Sequence, residues 1–289
     1  MRKRFLTGVA AAALCGALAG ETRAQSLGGL FADDLFTDAT ELVSDLMDTF
    51  MPGVTNVRLG LGPVVGPDYE GSDGYDANVA PLISLRYKDL IQVDNNNIRV
   101  NLFGEDGALW KSTNFRAGPM LKLDFGRSAK DSPDLTGLGN VGTAVELGGF
   151  VSYATGPLRY RLRLRHDVAS GHKGMLADAD ISLAVYRSKT LSIASRLGTT
   201  WASKKYMRSY FGVSAAQAAA AGLPVFAAGS GVKDVTLSVA SEIRVTPRWA
   251  VVLDAGASRL MGDAKASPIV RLRGSPNQFS AGAYAVYSF

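Results

Sequence analysis

LRYRLRLRHD, residues 158–167, is the stretch whose reading decides the fold. Every second residue from Arg159 to Arg165 is an arginine, with Leu158, Tyr160, Leu162 and Leu164 between them. A period of two sends the two sets to opposite faces of a strand. A soluble sandwich would bury the leucines and wet the arginines. A membrane barrel turns the leucines to lipid and the arginines into a polar lumen where acids meet them. One strand is compatible with both, so the rest of the chain has to choose.

The same period recurs from Val54 to the end. Leu59 and Leu61 alternate with Arg58, Gly60 and Gly62, and Phe115, Leu121 and Leu123 face away from Arg116, Lys122 and Asp124. Val145, Leu147 and Val151 oppose Glu146 and Ser152, and Val235, Leu237 and Ile243 oppose Ser238, Glu242 and Arg244. Tight connections (Lys88-Asp89, Thr155-Gly156-Pro157, Ser188-Lys189-Thr190, Thr246-Pro247-Arg248) interleave with long ones at 66–78, 126–141, 168–176, 202–230 and 262–276. Outer-membrane barrels keep short turns on the periplasmic side and long loops outside. Parity then fixes strands at 54–65, 79–88, 89–94, 97–104, 113–125, 142–154, 157–168, 177–188, 190–202, 231–246, 248–261 and 277–289. The reading is an all-β, transmembrane antiparallel β-barrel of about 12 strands with both termini periplasmic. Its weak points are the short segments 89–94 and 97–104, and SPIVRLRG (267–274), read as an extension of the last hairpin or an extra strand.

The chain of 289 residues begins MRKRFLTGVAAAALCGALAG, a basic start and a short apolar run. This reads as a secretory signal within residues 1–24, with cleavage after 19 or 24. The only cysteine, Cys15, lies inside it, so no disulfide or cysteine metal site is expected in the mature chain. Its removal takes away Arg2, Lys3, Arg4 and Arg23 against Glu21 alone, three positive charges from a formal +5, and with them the case for a nucleic-acid partner. Mean hydropathy is +0.08, and after the signal no apolar run approaches the ~18 residues of a spanning helix. Residues 25–53 form a periplasmic leader in which Leu35, Leu42, Val43, Leu46, Met47 and Phe50 fall at helical spacing among acids; a short amphipathic helix and a disordered leader both fit. At the other end Tyr287 and Phe289 close an outward row. That ending resembles the terminal signature of outer-membrane barrels, which implies the barrel-assembly machinery as a partner, and outer-membrane lipid and lipopolysaccharide as surroundings.

Several motifs carry a resemblance to one family. GLGPVVGPDYEGSDGYDANVAPLISLRY (60–87), FGRSAKDSPDLTGLGNV (125–141), ELGGFVSY (146–153), SYFGVSAAQAAAAGLPVFAAGSGVKDV (209–235) and GDAKASPIV (262–270) resemble the MltA-interacting protein (MipA/OmpV) family of Gram-negative outer membranes. The resemblance covers about residues 54–289. It implies an outer-membrane barrel and, from the name-giving member, a scaffold joining a murein hydrolase to a murein synthase in peptidoglycan remodelling. That scaffold role is the first functional expectation. The alternative is a narrow, anion-leaning pore for small solutes, gated by the loop 202–230.

Four groups of residues hold whatever chemistry there is. Arg159, Arg161, Arg163 and Arg165 read as a lumenal ladder paired with Glu146, Asp178, Asp180, Asp124 or Glu242, near Arg116 and Arg244, because enclosed charges are costly unless paired; anion selection is the other use. Pro67, Asp68, Tyr69, Glu70, Gly71 and Ser72 form an outer loop of the family motif, read as a structural turn in preference to a cation site. Tyr210, Phe211, Gly212 and Gln217 belong to a lid or plug, although Tyr206, Tyr210, Phe211 and Phe226 also suit an interfacial aromatic belt with Trp201 and Trp249. His166, Asp167, Ser170 and His172 raise an esterase reading, yet their spacing matches no nucleophile elbow. No catalytic residue, metal or cofactor is expected.

Overall fold

The computed structural model describes Leu42 and residues 56–289; the signal segment and the rest of the leader lie outside the described residues. Twelve antiparallel strands follow one another around a ring: β1 (Asn56–Pro67), β2 (Tyr75–Tyr87), β3 (Ile91–Asp94), β4 (Asn97–Val100), β5 (Phe115–Asp124), β6 (Ala144–Thr155), β7 (Leu158–Asp167), β8 (Met175–Arg187), β9 (Leu191–Ala202), β10 (Gly231–Arg244), β11 (Trp249–Leu260) and β12 (Asn277–Ser288). β12 pairs back onto β1, with Leu59 opposite Tyr287 and Leu61 opposite Ala285, so the ring is closed. Closure pairs the two edges that would otherwise be open, which is what hydrocarbon demands of a spanning sheet. No helix of the described residues is long and apolar enough to cross a membrane.

Alternation sorts the wall into two faces. On β7, Leu162 is 57% and Leu164 52% exposed, while Arg161 is 2% and Arg165 3%. Leu197, Leu237 and Phe279 share the outward face, and Asp180, Ser238 and Gln278 the inward one. The leucine side of these strands is the lipid-facing surface of an outer-membrane barrel. Near its periplasmic edge Trp249 meets Tyr287 edge-on at 5.0 Å, and Tyr287 meets Phe289 at 4.8 Å. These rings sit where an interfacial aromatic girdle is expected.

Two expectations need correction. The segments 89–94 and 97–104 are shorter and interrupted, with strand over Ile91–Asp94, Asn97–Val100 and, after a break, Phe103–Gly104. Asp89 accounts for the interruption: its carboxylate accepts from the Arg116 guanidinium at 2.7 Å and from the Glu105 amide at 2.8 Å, and its backbone carbonyl accepts from the Asn101 amide group. The chain turns into this knot, after which Phe103 rejoins the sheet opposite Ala117 of β5 and Phe103–Gly104 also pairs with Trp110–Lys111. The hairpin tip is tied on both sides, the Asn95 amide donating to Ile83 O at 2.8 Å and the Leu123 amide to Asn96 O at 3.0 Å.

SPIVRLRG is neither a strand nor a hairpin extension. It holds a helix, Pro268–Arg273, begun by Ser267, whose hydroxyl accepts from the Ile269 amide, with proline in the first turn. Those start signals outweigh its apolar alternation.

Close strand approach fixes several glycines. A Cβ built on Gly148 of β6 would lie 1.8 Å from Leu164 O of β7. Gly148→Ala must therefore push two strands apart, at an expected cost of about 1–3 kcal/mol, read as a lower urea midpoint for unfolding from lipid vesicles.

Candidate functional site

The arginine row lies opposite acids because the β7–β8 register sets Arg161 against Asp180 and Arg163 against Asp178. Arg161 Nε is 3.1 Å from Asp180 Oδ1, and Arg163 Nε is 3.4 Å from Asp178 Oδ2. Arg165 bridges two strands, with Nη1 2.8 Å from Glu146 Oε2 and Nη2 3.0 Å from Asp178 Oδ2. From β9, Arg196 Nε donates to Ser182 Oγ at 3.3 Å and lies 3.8 Å from Asp180 Oδ2. Arg159 is buried on the same row. Opposite charges facing across a strand pair stabilise the register, and here the pairs share partners into one network.

The other predicted members belong elsewhere. Glu242 pairs with Arg58 of β1 at 2.7 Å; Arg244, 3.8 Å from Glu242, has a half-exposed side chain. Arg116 pairs with Asp89. Asp124 accepts from the Tyr210 hydroxyl at 2.8 Å. Glu242 sits on β10 and Arg116 on β5, so neither is a cross-strand neighbour of β7; the sequence supplies charge but not position around the ring.

His172 ties this network to the cap. It is 1% exposed, and its Nδ1 accepts from the Gly174 amide at 3.0 Å. By that bond the proton is assigned to Nε2, which donates to Glu146 Oε1 at 3.0 Å. Tyr206 packs edge-on against the imidazole at 4.8 Å and stacks on Tyr210 at 4.6 Å. Asp124, Glu146 and His172 thus bring three ligand-type atoms within 4.8 Å of one another. Each carries a protein hydrogen bond, from Tyr210, Arg165 or Gly174, and the arrangement is a latch held by donors already present. The esterase residues do not converge: His166 points to the lipid face, Asp167 is buried, and Ser170 is exposed. Asp167 accepts from the Ala169 and Lys173 amides, which shapes the loop.

The cap itself is two helices, α1 (Lys204–Phe211) and α2 (Ala215–Ala221), followed by the pair α3 (Gly262–Ala266) and α4 (Pro268–Arg273). Tyr206, Tyr210 and Phe211 are buried with Val141, Leu176, Leu260 and Val270, which places them in the mouth and not in an aromatic belt. Gln217 closes a capping box with Ser214 and reaches Leu138 O. The Gly212 amide caps α1 onto Arg208 O. Arg127 donates to Tyr210 O at 2.8 Å, and Arg273 to Asp134 O at 2.7 Å. Burial, then the neighbouring Asp124, pushes the Tyr210 phenol well above its ordinary range.

The family-motif loop is stitched into the same cap. Tyr69 donates to Arg273 O at 2.7 Å, and its phenol is pushed up to about 12, chiefly by burial. Gln278 accepts from the Gly71 amide and donates to Ser72 O. Gly71 has φ of 99°, a conformation that glycine adopts without strain. Pro67 ends β1, the Asp68 amide donates to Gly74 O at 3.1 Å, and burial followed by the charges of Asp76 and Asp134 raises the Asp68 carboxyl. Glu70 binds Lys233 and accepts from Tyr206 at 3.3 Å.

Lys233 was not legible as a functional position. It occupies a bulge between the pairs Asp234–Thr200 and Val232–Trp201, which turns it inward beside Asp234, 3.0 Å away.

The family described as MltA-interacting protein MipA matches residues 59–289. This chain belongs to the MipA family. The matched span takes in the arginine row, the cap and the terminal aromatic row, so this MipA-family chain is a Gram-negative outer-membrane barrel throughout its described strands. Among solved structures, the KdgM porin is similar at 13% identity and a TM-score of 0.42, over 81% of this chain and 99% of that one. An outer membrane channel from Pseudomonas putida F1 is similar at 11% identity and a TM-score of 0.43, over 83% and 97%. The NanC porin is similar at 12% identity and a TM-score of 0.41, over 81% and 99%. No curated protein sequence matches the MipA-family chain.

Proposed function

We propose that this barrel is a narrow passage for small solutes, leaning toward anions and restricted at its mouth by the 202–230 loop. The observation that carries the reading is a small polar lumenal cavity of about 20 Å³, lined by Arg163, Arg196, Asp178, Asp180, Thr200 and Asp234, a space for about one water. Guanidiniums from two strands line it beside three carboxylates, and guanidinium is the side-chain group that pairs best with carboxylate or phosphate. Among the described residues, histidine aside, the buried charged side chains are eleven basic and nine acidic, a modest positive excess. Asp254 Oδ1, Ser238 Oγ and Ser280 Oγ are buried without protein partners, as in a wall that meets water or a polar solute.

Single-channel recording in planar bilayers tests this. Small intermittent currents are expected, with the reversal potential in a salt gradient moving toward the cation value in Arg163→Gln and Arg196→Gln. If no variant conducts, including one with Tyr210→Ala and Arg127→Ala to loosen the cap, the passage reading fails. Membership of the MltA-interacting protein family supports a second reading, a scaffold for peptidoglycan-remodelling proteins. Its test is crosslinking from the short periplasmic turns and residues 20–50 to a murein hydrolase and a murein synthase.

A further inference from the structure

Two neighbouring strands stop short of the outer rim. β3 and β4 have four residues each, between β2 with 13 and β5 with 10. A spanning strand needs about 9–11 residues. The hairpin is finished off where it ends. On one side the Asn95 amide donates to Ile83 O and the Asn95 side-chain Oδ1 accepts from the Ile83 amide, both at 2.8 Å. On the other the Leu123 amide donates to Asn96 O at 3.0 Å, and Asn96 Nδ2 donates to Leu123 O at 2.7 Å. Asparagine side chains thus take the place of the next strand pair. Beyond Ile83, β2 runs on to Tyr75 paired with β1 alone. Backbone groups along a strand alternate between its two neighbours, so Pro81, Val79 and Ala77 turn theirs, like Ile83, to the side the hairpin has left. Among the described residues no strand meets them there. Proline stands at the first of these positions, where its missing N–H breaks no ladder. The ring is closed at the height of the hairpin and notched above it.

We infer that this notch between β2 and β5 is a lateral portal between the outer leaflet and the lumen, and that it admits amphipathic anions. The class is a single apolar chain carrying a phosphate or carboxylate head. Where the hairpin fills the wall, three inter-strand spacings, roughly 14 Å, separate β2 from β5. That width is left open above the tip. The outer lip is apolar: Val79 is 55% exposed, and Ile98 and Leu121 continue the lipid face beneath it. The inner sill is cationic. Arg86, Arg99 and Lys122 are buried and point inward from β2, β4 and β5, against Asp94, which Arg99 holds at 2.9 Å. Of the other acids near the notch, Asp124 is engaged by the Tyr210 hydroxyl and Asp76 is exposed at the outer end of β2. Open edge groups are costly in hydrocarbon, and a hydrated headgroup in the notch relieves that cost. A tail left in lipid and an oxyanion drawn to the sill satisfy both sides at once. The portal gives the passage its substrate class, and it rests on the passage reading only for movement beyond the sill.

The test is photolabelling of the full-length barrel in phosphatidylcholine vesicles by an alkyl phosphate that carries a diazirine beside its headgroup, mapped by mass spectrometry. Label is expected at Asn78, Asn96 and Lys122, and excess unlabelled alkyl phosphate should suppress it. Leu237, on the lipid face of β10, should take up only label that the excess does not displace. Lengthening both arms of the hairpin at Asn95-Asn96 with alternating threonine and valine, to match β2, closes the notch. In protein that keeps the heat-modifiable migration of a folded barrel, labelling at Asn78 should then fall roughly fivefold, because the edge is paired. Lys122→Gln leaves the hairpin intact and should raise the concentration for half-maximal labelling about tenfold, as expected for a lost hydrogen bond to a charged group. Absence of label at Asn78, Asn96 and Lys122, unchanged labelling in the lengthened hairpin or in Lys122→Gln, or equal labelling by a neutral alkyl alcohol probe would overturn the portal. Single-channel recording separates the two proposals: suppressible label without current keeps the portal as a recess open to lipid and removes the passage, whereas current without label removes the portal alone.

Discussion

Glu146→Ala is expected to lose about 3–5 kcal/mol of stability, the range for removing one partner from a buried ion pair. Glu146 is 1% exposed and its two oxygens serve different parts of the molecule, Oε2 the Arg165 guanidinium and Oε1 the His172 imidazole. Without it Arg165 keeps Asp178, but Asp178 also holds Arg163 and the Thr200 hydroxyl, so a buried cation is left undercompensated. The loss of the His172 bond detaches the 168–174 loop from the wall, and with it the aromatic stack on α1. Two readouts should therefore move together: the urea midpoint in vesicles falls, and protease cleavage within 168–174 and 204–230 speeds up. Glu242→Ala removes a buried carboxylate on another part of the ring; its effect should be confined to the Arg58 side, with cap proteolysis unchanged.

Leu162→Arg tests the opposite face. Leu162 lies near the middle of β7 and is 57% exposed to what the barrel account makes hydrocarbon. An arginine on the lipid face near the bilayer midplane costs about 2–4 kcal/mol, against about 0–1 near the interfaces. Leu158→Arg, at the periplasmic end of the same strand, should be far milder. In a soluble sandwich with packed leucines, both substitutions would instead be governed by core burial, and this gradient with depth would not appear.

Much of this was legible because alternation is a local property. Leu162 and Arg161 declare their faces in the sequence, and counting short and long connections then fixes parity, so the ring of twelve and the inward arginines follow. What alternation does not contain is position around the ring. Glu146 and Asp178 pair with Arg165 because their strands flank β7, whereas Glu242, equally inward, pairs with Arg58 across the closure. The latch escaped because His172 sits in a loop and its partners come from β6 and α1. Lys233 escaped because a bulge breaks the period that would have assigned it a face. The helix at Pro268–Arg273 was misassigned although Ser267-Pro268 is a readable helix start, since PIVRLR also alternates.

The central claim is that one face of these strands touches lipid while the other lines an enclosed polar interior. Spin labels placed singly at positions 158 to 165 of β7, in vesicles, test it most directly through collision rates with oxygen, which partitions into hydrocarbon, and with a water-soluble nickel chelate. The account predicts oxygen maxima at 160, 162 and 164 and low rates at 161, 163 and 165, repeating every second residue. Uniformly low oxygen rates at 162 and 164, or maxima at the arginine positions, would contradict it.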